Sequence, residues 1–345
     1  MVCGKKMDKP YAKKGWSTMT TQSLRWGLLS TARINKALIP PLQLSKRNKL
    51  LAVASRSQEK ADTYARLHKI KHAYGSYEAL LADPEIDVIY NPLPNHLHAE
   101  WTIKAVEAGK HVLCEKPLAL SLDEVDAMAA AAEKHGRIVT EAFAYRAHPH
   151  MLKVKEILKG GKLGKVKMVH GSFTFVMTSQ ADIRWDPQMG GGGLWDIGCY
   201  PLSFTRSVLG TEPLEVFGWQ ITSPTGVDEL FAAQLRFPGD IYVQLDCSFK
   251  IPSHVFMEIV GEEGTLNIPL PFNTGARKTL YLTRVGKTST VVVKGPDPYI
   301  AEVENLADAI LLGKPPAVSL ADSRLNTAAI LALLESAKTG KPITL

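Results

Sequence analysis

The chain has 345 residues, of which 45% are hydrophobic and 22% charged, with a formal net charge of +7. That length exceeds one small core and predicts two domains with the composition of an ordinary globular enzyme. Much of the charge is local: within residues 1–23, Lys5, Lys6, Lys9, Lys13 and Lys14 face only Asp8, and the remainder has no basic block of the kind nucleic acid selects. No run of 18 uncharged apolar residues is present to span a membrane. Residues 1–23 also lack the apolar stretch of a secretory signal and are expected to form a disordered basic tail. Cys3, Cys114, Cys199 and Cys247 show no paired spacing, as expected for reduced thiols in a cytoplasmic protein.

From Leu24 onward strands and helices alternate. Leu24–Leu29 reads as a buried strand, followed by a turn and a helical stretch to about Leu44. Leu50–Ser55 is a second apolar run, Gln58–Lys69 a helix, and Tyr77–Ala82 a shorter helix closed by Asp83-Pro84. Ile86–Tyr90 is the next strand and runs into the proline-stiffened loop Asn91-Pro-Leu-Pro-Asn95. His98–Ala108 is helical, His111–Cys114 a strand, Leu122–His135 an alanine-rich helix and Ile138–Thr140 another strand. This alternation predicts an α/β fold, with a doubly wound parallel sheet of Rossmann type over residues 24–146. Residues 147–345 have a different texture and predict an α+β domain around one large, mainly antiparallel sheet. Its strands are Val166–Val176, Glu215–Ile221, Phe231–Phe237, Ile241–Phe249, Val255–Val260, Leu280–Val285 and Thr290–Val293. Helices are predicted at Met151–Lys159, Leu194–Leu209, Tyr299–Leu312 and Leu320–Lys338.

The first strand-to-helix turn tests the parallel sheet for a dinucleotide. Where the G-x-G-x-x-G fingerprint would lie, the chain has Ser30-Thr31-Ala32-Arg33-Ile34-Asn35, so a strict match fails. Ala32 is still small enough for a pyrophosphate to approach, and the amides of a starting helix point toward it. Ser30 tolerates the turn less well than glycine, at a cost of about 1 kcal/mol if a positive φ is required. The second strand ends in Ser55-Arg56-Ser57 rather than in the acid that would bond a ribose 2′-hydroxyl. Two hydroxyls and a guanidinium suit a 2′-phosphate, which favours NADP over NAD.

Two further segments carry chemistry. In His111-Val-Leu-Cys-Glu-Lys-Pro117, Glu115 and Lys116 stand where a buried apolar strand gives way to proline, at the end of the strand where open α/β sheets bind ligands. In Gly190-Gly-Gly-Gly-Leu-Trp-Asp-Ile-Gly-Cys-Tyr200, Asp196 and Tyr200 are four apart and share a helix face, with a kink or late start expected at Pro201. A lysine ammonium within roughly 4–6 Å of a tyrosine favours the phenolate. Lys116 and Tyr200 are therefore a candidate proton-transfer pair with Asp196 positioning one or both, which is what carbonyl–alcohol interconversion needs while hydride moves at carbon. The alternative is a flexible glycine turn with a capping aspartate and a core tyrosine.

Together, Glu115-Lys116-Pro117, Pro92-Leu-Pro-Asn-His96, Glu141-Ala-Phe-Ala-Tyr-Arg146 and Gly190–Tyr200 make the chain from Leu24 to the C-terminus resemble the glucose–fructose oxidoreductase/inositol dehydrogenase (Gfo/Idh/MocA) family. Tyrosine at position 200 is similar to the branch with aldose (xylose-type) and dihydrodiol dehydrogenases, which mostly use NADP. The resemblance implies an open-faced second sheet, homodimers or homotetramers packed through it, and catalysis by Lys116, Asp196 and Tyr200. It maps cofactor contacts onto Ser30, Thr31, Ala32, Arg33, Ile34, Ser55, Arg56, Ser57, Asn91, Leu93, Asn95, His96, Glu115 and Lys116. Arg184 and Trp185 resemble the pair that reaches the nicotinamide, and Phe143, Tyr145, Arg146, Trp185, Asp196 and Tyr200 are expected at the substrate. The implied activity is hydride transfer between NADP and a sugar or cyclic polyol. The alternatives are a non-sugar substrate such as a dihydrodiol or dicarbonyl, and a non-catalytic NADP-binding sensor. No metal is expected, because His96 and His98 lack a third ligand at suitable spacing. His148 and His150 are read either as pocket lining or as a polar hinge.

Overall fold

The computed structural model describes residues 23–345. The segment expected to be a disordered tail lies, Ser23 apart, outside the described residues. The first half alternates β1 (Leu24–Leu29), α1 (Asn35–Leu44), β2 (Asn48–Ala54), α2 (Gln58–His68), β3 (His72–Tyr74), α3 (Tyr77–Leu81), β4 (Val88–Asn91), α4 (His98–Glu107), β5 (His111–Glu115), α5 (Leu122–His135) and β6 (Val139–Ala142). Its six strands pair in parallel in the order β3-β2-β1-β4-β5-β6. They are apolar on both faces because helices cover both: Trp26, Leu28, Val53, Ile89, Tyr90, Val112 and Leu113 are fully buried. Serine side chains start α2, α3 and α5, with Ser57, Ser76 and Ser121 accepting from the amides of Lys60, Ala79 and Glu124. The strand order reverses between β1 and β4, which opens a crevice at their carboxyl ends.

The second half runs α6 (Ala144–Ala147), α7 (Pro149–Lys159), β7 (Val166–Thr174), a π-helical turn (Leu194–Gly198), α8 (Cys199–Leu209), β8 (Glu215–Thr222), β9 (Asp228–Phe237), β10 (Ile241–Ser248), β11 (His254–Gly261), β12 (Gly264–Pro269), β13 (Arg277–Arg284), β14 (Lys287–Lys294), α9 (Pro298–Leu312), α10 (Leu320–Thr339) and β15 (Ile343–Thr344). Nine strands form one sheet in the order β14-β13-β12-β11-β7-β10-β9-β8-β15, antiparallel throughout except for the β7–β10 pair. On β10, buried Val243, Leu245 and Cys247 alternate with exposed Tyr242, Gln244 and Asp246. One face of the sheet therefore packs on helices, and the other stands open.

The chain does not divide as the expected domain, 147–345, would have it. Val303, Leu306 and Ala307 of α9 join Leu24, Trp26 and Leu28 of β1 in one core, so the chain returns to the first sheet after completing the second. Arg47, just before β2, fastens α9 there through Glu304 (2.8 Å) and Asp308 (2.6 Å). The apolar stripe of α9 needs a partner, and α1 supplies it across a sequence separation that periodicity cannot bridge. The helix expected over Leu194–Leu209 is present but begins as a π turn and becomes α only at Cys199, two residues before Pro201.

Candidate active site

The crevice at the end of β1 is bounded by the turn after Leu29. Ser30 adopts φ +82°, the left-handed conformation that the fingerprint glycine would take. Asn35 Nδ2 holds the Ser30 carbonyl at 2.9 Å, while the buried Ser30 hydroxyl has no partner. Among the described residues, the amides of Thr31, Ala32, Arg33 and Ile34 meet no protein acceptor. An orphaned hydroxyl and a row of unpaired amides at a helix start fit a dinucleotide pyrophosphate. At the end of β2, Ser55 is buried, Arg56 is exposed and makes no ion pair among the described residues, and the Ser57 hydroxyl caps α2. Ser57 is thus committed to the helix, and the Arg56 guanidinium stands free at the strand end.

The loop after β4 is built differently from expectation. Asn91 is fully buried, its amide donating to the His98 carbonyl and the Thr102 hydroxyl at 3.1 Å each, so its side chain braces the loop. Leu93 is buried as well, Asn95 Nδ2 donates to the Gly190 carbonyl of the other domain at 2.8 Å, and His96 is exposed at the rim. His98, weighed beside His96 as a metal ligand, has both ring nitrogens 2.7 Å from backbone carbonyls, those of Pro117 and Leu93. It therefore pins this loop to the one after β5.

Beyond β5 the charged groups converge. Lys116 Nζ donates to the Asp196 carboxylate (2.8 Å) and to the Asp196 carbonyl (2.7 Å), and Arg184 Nε donates to the other carboxylate oxygen (2.6 Å). Burial alone would raise Asp196, but the Lys116 and Arg184 cations hold its carboxyl below the usual range. The same pairing overcomes burial at Lys116 and holds the ammonium above its ordinary value. Glu115 accepts from the Tyr90 hydroxyl at 2.5 Å, and burial pushes its carboxyl up.

Tyr200 stands on α8 inside an aromatic box. Phe143, Phe173 and Phe272 approach its ring at 5.2, 5.4 and 5.3 Å, and Lys116 Nζ lies 5.1 Å from the ring centroid. The ammonium thus covers the face of the ring rather than its hydroxyl. Burial pushes the Tyr200 phenol well above 10, with Tyr299, Glu115, Cys199 and Asp196 adding to the effect. The expectation that Lys116 lowers this pKa is therefore corrected: Asp196 takes up the lysine charge, and an apolar box surrounds the phenol.

The other expected substrate contacts sit behind this surface. Phe143 and Tyr145 are buried, and the Tyr145 hydroxyl donates to the Tyr200 carbonyl at 3.3 Å. Arg146 is spent on Ser203 (2.9 Å) and Asp322 (3.0 Å). Trp185 is buried against Phe249, its indole donating to the Ser179 carbonyl at 3.0 Å. His148 and His150 are fully buried and face each other at 2.9 Å, so they form a junction rather than pocket lining. The glycine run lies close to protein rather than to open space. A Cβ on Gly191 would collide with the Arg184 and Asp186 carbonyls, and one on Gly192 with the Asp228 carboxylate, which accepts from the Leu194 amide at 2.7 Å. Sequence reasoning did not single out Asp228, Asp182, Phe173 or Phe272, which come from loops and strands with no motif around them.

Residues 24–143 match the model for the oxidoreductase family with an NAD-binding Rossmann fold, and residues 151–267 match the GFO/IDH/MocA C-terminal domain. A D-xylose 1-dehydrogenase (NADP(+)) of Haloferax volcanii is 37% identical over 93% of this chain and 100% of its own length. A trans-1,2-dihydrobenzene-1,2-diol dehydrogenase of Xenopus laevis is 34% identical over 71% of this chain and 75% of its own. Among solved structures, an aldose-aldose oxidoreductase from Caulobacter crescentus superposes with a TM-score of 0.88 at 25% identity, covering 94% of this chain and 100% of that one. A 3-ketoreductase from Actinomadura kijaniata, solved with NADP and TDP-benzene, gives 0.86 at 28% identity over 91% and 98%. Among the described residues no helix is long and apolar enough to cross a membrane.

Proposed function

The chain belongs to the GFO/IDH/MocA family of NAD(P)-dependent oxidoreductases, and from that premise we propose that it interconverts a sugar or related cyclic polyol with its carbonyl form, using NADP in the cytoplasm. The observation that carries this reading is the convergence of Lys116, Asp196 and Tyr200 at the crevice where β4 and β5 end. NADP is favoured by Arg56 at the end of β2 and by the NADP-dependent xylose dehydrogenase among the relatives. Ser30, the amides of Thr31–Ile34 and Arg56 would hold the dinucleotide, whose nicotinamide supplies or accepts hydride.

The residues divide the remaining work. Tyr200 keeps its proton at neutral pH and has no hydrogen-bond partner at its hydroxyl among the described residues, so it suits donation to a carbonyl oxygen as the carbon is reduced. In the oxidising direction Tyr200 first releases its own proton to solvent, and the phenolate oxygen then takes the proton of the substrate hydroxyl. Lys116 stays cationic between the ring and Asp196, placed to stabilise negative charge on the reacting oxygen. Asp196 orients it, and Arg184 fixes the free carboxylate oxygen. We further infer a homo-oligomer that buries the open face of the second sheet.

Absorbance at 340 nm with NADP and a panel of aldoses, and with NADPH and diketones, tests the reading. Lys116→Met is expected to lower turnover by about 10²–10⁴-fold and to change NADPH affinity little, because the dinucleotide is held mainly at Ser30–Ile34 and Arg56. Near-normal turnover in that variant would remove Lys116 from the mechanism. Tight NADPH binding with no turnover on any substrate would favour a sensor.

A further inference from the structure

Between β7 and the π-helical turn the chain crosses from one side of the crevice to the other. It is fastened at Asp182 to Arg33, in the turn after β1, and at Gly190 to Asn95, in the loop after β4. We propose that Asp182 is a positioning residue that latches this strap over the bound dinucleotide and joins the cofactor turn to the catalytic cluster. The inference rests on the NADP reading above.

The Asp182 carboxylate is divided between two arginines. Its Oδ2 accepts from the Arg33 guanidinium at 3.1 Å, while Oδ1 accepts from the Arg184 guanidinium at 3.1 Å and the Arg184 amide at 3.2 Å. Arg184 continues to Asp196 at 2.6 Å, and Asp196 to Lys116 at 2.8 Å. Charges therefore alternate without a break from the phosphate turn to the lysine. The two ends of the latch differ in exposure: the Asp182 side chain is 10% exposed and that of Arg33 83%. Asp182 is held in place by its own segment, and Arg33 is the movable member. Arg33 also sits beside the unpaired amides and the orphaned Ser30 hydroxyl, where a pyrophosphate would draw it. With the cofactor in place, the guanidinium is shared between phosphate and Asp182, so the strap closes on an occupied site. Departure of the dinucleotide then requires this contact to break.

The test is the rate of NADPH release from the full-length protein, followed by nicotinamide fluorescence after rapid mixing with excess NADP. Arg33→Ala and Asp182→Ala are each expected to speed release about three- to tenfold, the scale of a partly solvated ion pair. The double variant is expected to be no faster than Arg33→Ala alone, which removes both the latch and the guanidinium's phosphate contact. Release from the native protein should quicken with salt, and release from the variants should respond less. Asp182→Glu, which keeps the charge, should retain most of the slow release. Arg33 is exposed, so its variant folds even if Asp182→Ala does not. Additive rates in the double variant, or release unchanged by Arg33→Ala while the native protein binds NADPH, would overturn the latch and leave the NADP reading intact. Failure of the native protein to bind NADPH would overturn both.

Discussion

Ser30 shows how one residue sets two quantities against each other. Its φ of +82° is a conformation that costs a non-glycine residue roughly 1–3 kcal/mol. Yet its hydroxyl is buried without a partner in a turn shaped for phosphate. Ser30→Gly relieves the strain and deletes the hydroxyl. The expected outcome is a cofactor-free protein that melts a few degrees higher, since about 1 kcal/mol shifts a domain of this size by roughly 2–4 °C. NADPH should bind about fivefold more weakly, the scale of one lost hydrogen bond. Thermal melts with and without NADPH separate the two effects. If affinity rises along with stability, the hydroxyl has no phosphate to meet, and the serine is only a strained substitute for glycine.

At the scale of elements, the strap works because its glycine run lets two backbones touch. The Arg184 and Asp186 carbonyls occupy the space that a Cβ on Gly191 would need. Gly191→Ala is expected to push the Arg184 segment away, costing roughly 1–3 kcal/mol in stability and most of the turnover, because Arg184 then loses its 2.6 Å bond to Asp196. An unchanged melting temperature would show that the segment yields freely. The sequence already marked Gly190–Tyr200 and Glu115-Lys116-Pro117 as the dense signals, and the structure brings them together. It did not reveal what the glycines approach, because a collision between two loops is a tertiary fact. Strand–helix alternation made the first sheet readable because its strands are apolar on both faces. β3 escaped notice because His72-Ala-Tyr74 is three half-buried residues, and β12 because glycine and proline bound it. The return of α9 to the first sheet was hidden for a different reason. Its apolar stripe is plain, but the partner of a stripe is not written in its period.

For the whole molecule, the open face of the nine-stranded sheet is a surface that the crevice does not use. Trp219 and Ile221 on β8 and Tyr242 on β10 are each 54% exposed, and Tyr281 on β13 is 40% exposed, all on a sheet whose opposite face is packed. Phe217 stacks edge-on against Trp219 at 4.3 Å, which extends the apolar area. Isolated exposed apolar residues are ordinary, but aromatic groups recurring on one open face, on β8, β10 and β13, suit the proposed association surface. Two copies packed through this face would leave both crevices open, since Lys116 and Tyr200 lie among the helices on the opposite side. The combined variant Trp219→Asp, Tyr242→Asp places a charge at each of two points on that face while leaving the buried side of β8 and β10 unchanged. Light scattering after size-exclusion chromatography should then report a monomer where the native chain forms a dimer or larger assembly. NADPH binding should survive, because the dinucleotide crevice lies at the end of the other sheet. An assembly of unchanged mass in the variant would mean that the copies meet elsewhere, and a monomeric native chain would remove the oligomer altogether.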